Sequence, residues 1–287
     1  MTLQELKMKG LIGWTLEQGR VEGGMVFFLL AFLLAGIVGY LLGSINCGLL
    51  VSSLGYKDDI RKHGSGNAGM TNVMRTYGKK AALITLLGDA AKGALAVAFG
   101  FLCCGTYSAY FAAFFCVVGH AYPIYFGFRG GKGVVVTAVT LLCLNPLLFL
   151  ILFVIFAIIV IGTRYISLGS VMCMLIYPLL LSSLGGVLDS TVTDTTEFLG
   201  FAMEGGRNFT VIMAFCNAAF VIWLHRSNIK RLMEGTENKF SFKKSVKPGE
   251  AATSEETQDA ENEEIHGPSQ PRSKKNQKKD KKKESKD

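Results

Sequence analysis

No two cysteines in this chain stand at CxxC spacing. Of the seven cysteines, those at 103, 104, 116, 143, 173 and 216 fall within apolar runs, and Cys47 follows closely on the first. Neither a disulfide nor a zinc site has support, and the thiols read as small buried hydrophobes. No GxxxxGK[ST] segment occurs, so the P-loop signature is missing, and no nucleic-acid motif accompanies the basic charge. Charge itself is missing over long distances: residues 25–43 are all apolar or glycine, aside from the half-polar Tyr40. That length matches a helix crossing a bilayer. The run is too long and too deep in the chain for a simple signal peptide, and no AxA-like cleavage site comes after it.

Further apolar runs recur at 81–105, 107–128, 134–162, 168–188 and 209–224, and 50% of the chain is hydrophobic. The protein reads as an all-α polytopic membrane protein. Asn145-Pro146 is a turn signal inside the 134–162 run, because the residue before proline is driven out of helical geometry. Dividing that run there predicts about seven transmembrane helices, near 25–54, 80–102, 107–127, 133–143, 147–162, 167–187 and 208–224. The fourth is short for a bilayer unless it sits in the protein interior. The net charge of +8 is uneven: 56–80 carries Lys57, Arg61, Lys62, Arg75, Lys79 and Lys80, and the 128–133 turn adds Arg129 and Lys132. Residues 187–206 hold Asp189, Asp194, Glu197 and Glu204 with neither Lys nor Arg. The positive-inside rule puts the basic segments in the cytoplasm and the acidic stretch outside, with the N-terminus outside and the C-terminus cytoplasmic. Three parts are expected: a mixed-charge leader at 1–24, suited to the interface through Trp14; a membrane-embedded domain at 25–242; and a disordered charged tail at 243–287, too polar to bury a core.

Residues 60–72, IRKHGSGNAGMTN, form a polar, cationic, glycine-broken loop between apolar segments. Gly64, Gly66 and Gly69 let backbone N–H groups turn inward, a geometry that holds phosphate. Ser65, Asn67, Thr71 and Asn72 add donors, and Arg61, Lys62 and Arg75 supply charge. The competing reading is a solvated turn with ordinary cytoplasmic basicity. Gly130, Gly131 and Gly133 surround Lys132 in a second glycine-cation turn, read either as an anion site at a helix start or as a turn needing glycine for sterics. Beyond the last run, His225, Asn228 and Arg231 or Leu232 are spaced to share one helical face, where His225 and Asn228 suit a polyol or a proton relay; a plain juxtamembrane basic helix competes. Asp89 and Lys92 lie three residues apart within a span, and read equally as a functional pair or a structural one. His120 reads as a packed, hydrogen-bonded helix residue.

GSINCG (43–48), DIRKHGSGNAGMTNVMRTYGKK (59–80), DAAKG (89–93), GHAYPIYFGFRGGKG (119–133), RYISL (164–168) and HRSNIKRLMEGTENKF (225–240) together resemble the PlsY family, the bacterial acyl-phosphate:glycerol-3-phosphate acyltransferases. The resemblance runs from about 25 to 242, and GSGNxGxTN with GGKG is specific to it. Met70 departs from the alanine expected there, and ENKF from a more basic ending. The resemblance implies transfer of a fatty acyl group from acyl phosphate to the sn-1 hydroxyl of glycerol 3-phosphate, giving 1-acyl-glycerol 3-phosphate and phosphate for phospholipid synthesis. It implies a multi-pass protein of the bacterial cytoplasmic membrane, with its site on the cytoplasmic face, in contact with membrane lipid and coupled to an enzyme producing acyl phosphate. No metal, nucleotide or nucleic-acid partner is implied. By the same resemblance Ser65, Gly66, Asn67, Thr71 and Asn72 hold the acyl-phosphate head. Arg75, Lys132, Ser167, His225 and Asn228 grip glycerol 3-phosphate, with His225, Asn228 and Ser167 nearest the chemistry. Glu237 braces the third loop, and Asp89 and Lys92 give structural support. No HxxxxD acyltransferase signature is present. Proton removal by the substrate's own phosphate is expected, with His225 as general base the alternative. The rival function is a transporter of a phosphorylated solute; such proteins usually carry internal repeats, and none is visible.

Overall fold

The computed structural model describes residues 9–11, 13–15, 24–188, 195–198, 201–204 and 206–240. The tail expected at 243–287, most of the leader at 1–24, and Asp189 and Asp194 lie outside the described residues. The elements are α1 (Gly24–Ser44), α2 (Cys47–Leu50, continued by a π-turn to Gly55), α3 (Met70–Tyr77), α4 (Lys79–Ala121), α5 (Val134–Leu144), α6 (Pro146–Thr163), α7 (Ile166–Leu188), α8 (Gly206–Leu224) and α9 (Arg226–Met233). A two-stranded antiparallel hairpin, β1 (Thr195–Phe198) and β2 (Phe201–Glu204), lies between α7 and α8. It was not anticipated: acidic residues dominate the reading of that stretch, although Thr195, Thr196, Phe198 and Phe201 have strand propensity.

Among the described residues, four helical segments are long and apolar enough to cross a membrane, or five if α8 and α9, bent by 58° to each other, count as one span. The longest, α4, is not a single rod. Its 43 residues would reach about 65 Å as a straight helix, twice the hydrocarbon thickness of roughly 30 Å. The backbone leaves helical geometry at Cys104 and Gly105, where Gly105 takes φ +69°, and the chain doubles back. Ser108 Oγ closes this reversal, accepting from Cys104 N (2.8 Å) and donating to Gly100 O (2.7 Å). Lys92 and His120, 28 residues apart, thereby come within 2.8 Å.

Helix α1 packs along α4 through small residues. A Cβ at Gly39 would stand 2.4 Å from Ala112 O and one at Gly43 2.1 Å from Cys116 O, so only glycine lets the two backbones approach this closely. The first span stops at Ser44, where Asn46 then caps α2 by accepting from Leu49 N (3.1 Å). The Asn145-Pro146 break stands where the turn signal put it. Asn145 Oδ1 caps α6 by accepting from Leu148 N (3.0 Å), and Pro146 occupies the first turn, where no N–H is needed. The main core gathers Tyr110, Val117, Val136, Leu148, Tyr177 and Val221 from α4 to α8. Helix α6 leaves Phe153, Ile158 and Ile161 exposed, as a lipid-facing helix does.

One end of the bundle collects the polar connections. Tyr40 Oη donates to Tyr122 O (2.9 Å), Arg61 reaches Phe126 O (2.9 Å), Ser167 bonds Glu237 (2.8 Å) and Phe240 N donates to Arg164 O (2.7 Å). Both ends of 134–163 lie here, since Lys132 bonds Asn228 while Ser167 and Asn228 share Glu237. Helix α5 therefore enters the bundle and α6 returns from it. An 11-residue helix spans about 16 Å, so the Asn145 turn is interior, and Asn145 is buried.

Candidate functional site

The loop between α2 and α3 is organised from beneath by Asn72, which is 3% exposed. Its Oδ1 accepts from Ser65 N (3.0 Å), and its Nδ2 lies 2.9 Å from both His63 O and Asn67 O. Asn72 was expected among the groups holding the acyl-phosphate head. The structure instead places its amide under the loop, committed to backbone. Gly64 and Gly66 adopt φ +56° and +71°, left-handed values that a side chain would resist. At the loop's end Gly69 caps α3 with no side chain, while Asn72 N and Val73 N both bond Gly69 O. The N–H groups of Met70 and Thr71 are left at an open helix N-terminus. Among the described residues, Ser65 Oγ, Thr71 Oγ1 and Asn67 Nδ2 make no protein hydrogen bond; Asn67 Oδ1 accepts from Gly69 N (3.0 Å). Gly66 is exposed beside them, and Arg75 is half-buried on α3. The result is a cup of hydrogen-bond donors.

Arg61 does not supply the charge expected of it. Its guanidinium is forked onto Asp59 (2.9 and 2.8 Å) and donates to Phe126 O (2.9 Å) and Arg129 O (3.1 Å).

In the second turn, glycine is required sterically. A Cβ at Gly130 would stand 2.0 Å from His120 O, and one at Gly131 2.1 Å from His120 Nε2. The steric reading of this turn holds, and the tight path also delivers Lys132 to Asn228 of the third loop. Beneath it Lys92 Nζ, 2.9 Å from Asp89 Oδ1, donates to Gly43 O (3.0 Å), Ile45 O (2.9 Å) and His120 Nδ1 (2.8 Å). An ammonium only donates, so His120 Nδ1 accepts and that ring is neutral. This buried group ties the end of α1 to α4 and to the turn.

Lys132 Nζ donates to Asn228 Oδ1, and Asn228 Nδ2 donates to Glu237 Oε1 (2.6 Å). Ser167 Oγ donates to the same oxygen (2.8 Å), and Arg231 Nε to Oε2 (2.7 Å). Burial works to raise the Glu237 carboxyl, but the bonds from Asn228, Arg231 and Ser167 outweigh it and hold the group below its ordinary value. Burial, assisted by nearby Arg231, pushes Lys132 down to about 8 against the pull of Glu237. Arg231 was not anticipated as a site residue, although its i,i+3 spacing from Asn228 was a signal.

His225 and Asn228 meet at a corner and do not lie along one helix. His225 is the residue between α8 and α9, and Asn228 N donates to His225 O (2.8 Å). His225 Nδ1 lies 2.8 Å from Val221 O, and a carbonyl only accepts, so the proton is on Nδ1 and Nε2 is an acceptor. Burial drives the ring down to about 4, with the Val221 bond opposing it. Nε2 makes no hydrogen bond among the described residues.

Helices long and apolar enough to cross a bilayer, with a donor cup and a partly buried cation-carboxylate chain at one end, define an integral membrane protein suited to anionic substrates. The family model described as Glycerol-3-phosphate acyltransferase matches residues 33–235. Glycerol-3-phosphate acyltransferase 2 of Bacillus cereus (strain ATCC 10987 / NRS 248) is 39% identical over 211 residues, 74% of this chain and 96% of that protein. The glycerol-3-phosphate acyltransferase of Carboxydothermus hydrogenoformans is 40% identical over 212 residues, 74% of this chain and 98% of that one. Among solved structures, the glycerol 3-phosphate form of PlsY (YgiH), an integral membrane glycerol 3-phosphate acyltransferase, is similar at TM-score 0.62 and 32% identity, covering 73% of this chain and 96% of that one. Its lysophosphatidic acid form is similar at TM-score 0.60. The chain belongs to the glycerol-3-phosphate acyltransferase family.

Proposed function

We propose that this glycerol-3-phosphate acyltransferase takes its acyl group from acyl phosphate, at a cytoplasmic site on a bundle of about seven helices in the bacterial membrane. The observation that carries the donor assignment is the cup: Ser65 Oγ, Asn67 Nδ2 and Thr71 Oγ1, with two N–H groups at the α3 N-terminus, are engaged by none of the described residues and suit one phosphate group. Seven membrane helices result if α4 counts as two and α5 and α6 as one each, α5 reaching only half-depth. An odd count with the basic end cytoplasmic leaves the N-terminus outside.

In the acceptor half, Lys132 and Arg75 meet the phosphate of glycerol 3-phosphate, while Ser167, Asn228 and His225 orient its glycerol hydroxyls. The sn-1 oxygen bonds to the acyl carbonyl carbon as the carbon–oxygen bond to phosphate breaks. Inorganic phosphate leaves with the electron pair and takes the hydroxyl proton. A ring driven to about 4 is a weak base near neutrality, so His225 positions the hydroxyl through Nε2. With the leaving group already activated, orientation and charge placement account for the rate. A carrier would gather its ligands near the bilayer midplane, whereas these lie at one end.

The test is purified chain with acyl phosphate and labelled glycerol 3-phosphate, then lipid extraction. Labelled lipid is expected with acyl phosphate and little or none with acyl-CoA. Comparable turnover with acyl-CoA alone would reject the donor assignment.

A further inference from the structure

Arg61 stands four residues before Ser65, at the entry to the donor cup, yet it sends nothing into the cup. A guanidinium has five N–H groups. Here Nε and one Nη2 hydrogen go to Asp59 (2.9 and 2.8 Å), and Nη1 uses both of its hydrogens on Phe126 O (2.9 Å) and Arg129 O (3.1 Å). Those carbonyls belong to the turn that carries Lys132, six and three residues downstream of them. Asp59 is itself anchored, since its Oδ1 accepts from Arg61 N (3.0 Å) and starts the short helix Ile60–Lys62. The two turns also share apolar contact: fully buried Ile60 lies in a cluster with Leu49, Ala68 and Val73, and Phe126 packs against it. That contact keeps the turns together but is non-directional. The guanidinium fork is planar and fixes distance and angle.

We infer that Arg61 is a positioning residue that sets the separation between the two phosphate sites, by locking the donor loop to the Lys132 turn without touching either substrate. The inference rests on the donor assignment above. Acyl transfer needs the acceptor oxygen within near-attack distance of the acyl carbon, and a misplacement of about 1 Å costs on the order of a hundredfold. Each half-site keeps its own ligands when Arg61 is lost, so binding of either substrate alone survives while their alignment does not.

The experiment is steady-state kinetics of the full chain, varying acyl phosphate and glycerol 3-phosphate separately, in Arg61→Gln, Arg61→Lys and Asp59→Asn. Arg61 is 30% exposed at its side chain, and the Ile60 cluster is untouched, so the variants are expected to insert and extract normally. In Arg61→Gln, kcat is expected to fall about ten- to a hundredfold, with both KM values within about twofold of the parent. Arg61→Lys keeps the charge but cannot span a carboxylate and two carbonyls, and is expected to fall nearly as far. Asp59→Asn keeps the carbonyl bonds and is expected to show the same pattern at smaller size. Full kcat in Arg61→Lys overturns the inference, because charge alone would then suffice. A raised KM for acyl phosphate with kcat kept also overturns it, making Arg61 a phosphate ligand. Failure of the donor assignment shows elsewhere, as an unmutated chain that does not use acyl phosphate, and it takes this inference with it.

Discussion

The loop over residues 58–77 is shaped mainly by bonds among its own residues, with Arg61 as its tie to the neighbouring turn, whereas the cluster around Glu237 is gathered from separate stretches of chain. Within the loop, Asn72 bonds residues five to twelve positions away, and Tyr77 reaches Asp58 (2.9 Å) across 19. In the cluster, Lys132 meets Asn228 across 96 positions and Ser167 meets Glu237 across 70. The first geometry is largely local and depends on turn chemistry and one buried amide. The second exists only when α5, α7, α8 and α9 are packed. Changes to helix packing should therefore damage the acceptor half before the donor half.

Glu237→Ala should have the largest effect. It strips Ser167, Asn228 and Arg231 of their common acceptor. We expect kcat/KM for glycerol 3-phosphate to fall by about a hundredfold or more, with the KM for acyl phosphate nearly unchanged. Equal damage to both substrates would break the comparison between the halves.

Lys132→Ala removes one charge-assisted contact, worth roughly 1.5–3 kcal/mol or about ten- to a hundredfold in kcat/KM for glycerol 3-phosphate. The parent chain should also show a pH limb. The ammonium is present below its value of about 8 and is lost as pH rises through it, so kcat/KM for glycerol 3-phosphate declines above that point. Lys132→Arg should move this limb out of range, since guanidinium stays charged. A limb that persists in Lys132→Arg would assign it to another group.

On the donor side, Asn72→Ala should raise the KM for acyl phosphate about tenfold and leave glycerol 3-phosphate binding alone, since the lost bonds lie within the loop. Two-substrate kinetics compares it directly with Lys132→Ala. Were glycerol 3-phosphate binding to suffer equally, the loop would not be self-contained.

The smallest effect is expected from His225→Gln, in which an amide replaces the ring's hydrogen bond. KM for glycerol 3-phosphate should rise about threefold with kcat largely kept. A ring at about 4 stays neutral from pH 6 to 7, so no activity limb is expected there. A fall in kcat of about 10²–10⁴ at constant KM would instead make His225 the general base.

Much of this was legible beforehand because it rests on local chemistry. Asn145-Pro146 announces its own break, since proline excludes helix at the residue before it and the asparagine side chain caps the next helix, α6. Asp89 and Lys92 announce an ion pair, because a charge within a span needs a partner and three residues put one on the same face. The roles of Asn72 and Arg61 were misread for one shared reason. Both spend their side chains on backbone carbonyls, and every residue has a carbonyl, so no residue type marks the partner. Arg231 was passed over because its acceptor, Glu237, comes from beyond the end of α9.

By itself, the sequence determined the apolar helices, the turn at Asn145, the glycine-built cup and the family, because each depends on neighbouring residues or on a linear pattern. The reversal near Gly105 falls between the two spans expected at 80–102 and 107–127, but only the tertiary structure decided that it sets Lys92 against His120. It alone decided that Lys132 and Ser167 would meet through Asn228 and Glu237, and that Arg61 would turn from the cup to bind its neighbour. The physical reason is range. Hydropathy and turn preference act over a few residues, whereas the bonds that join the two halves form only after packing has brought distant segments within about 3 Å.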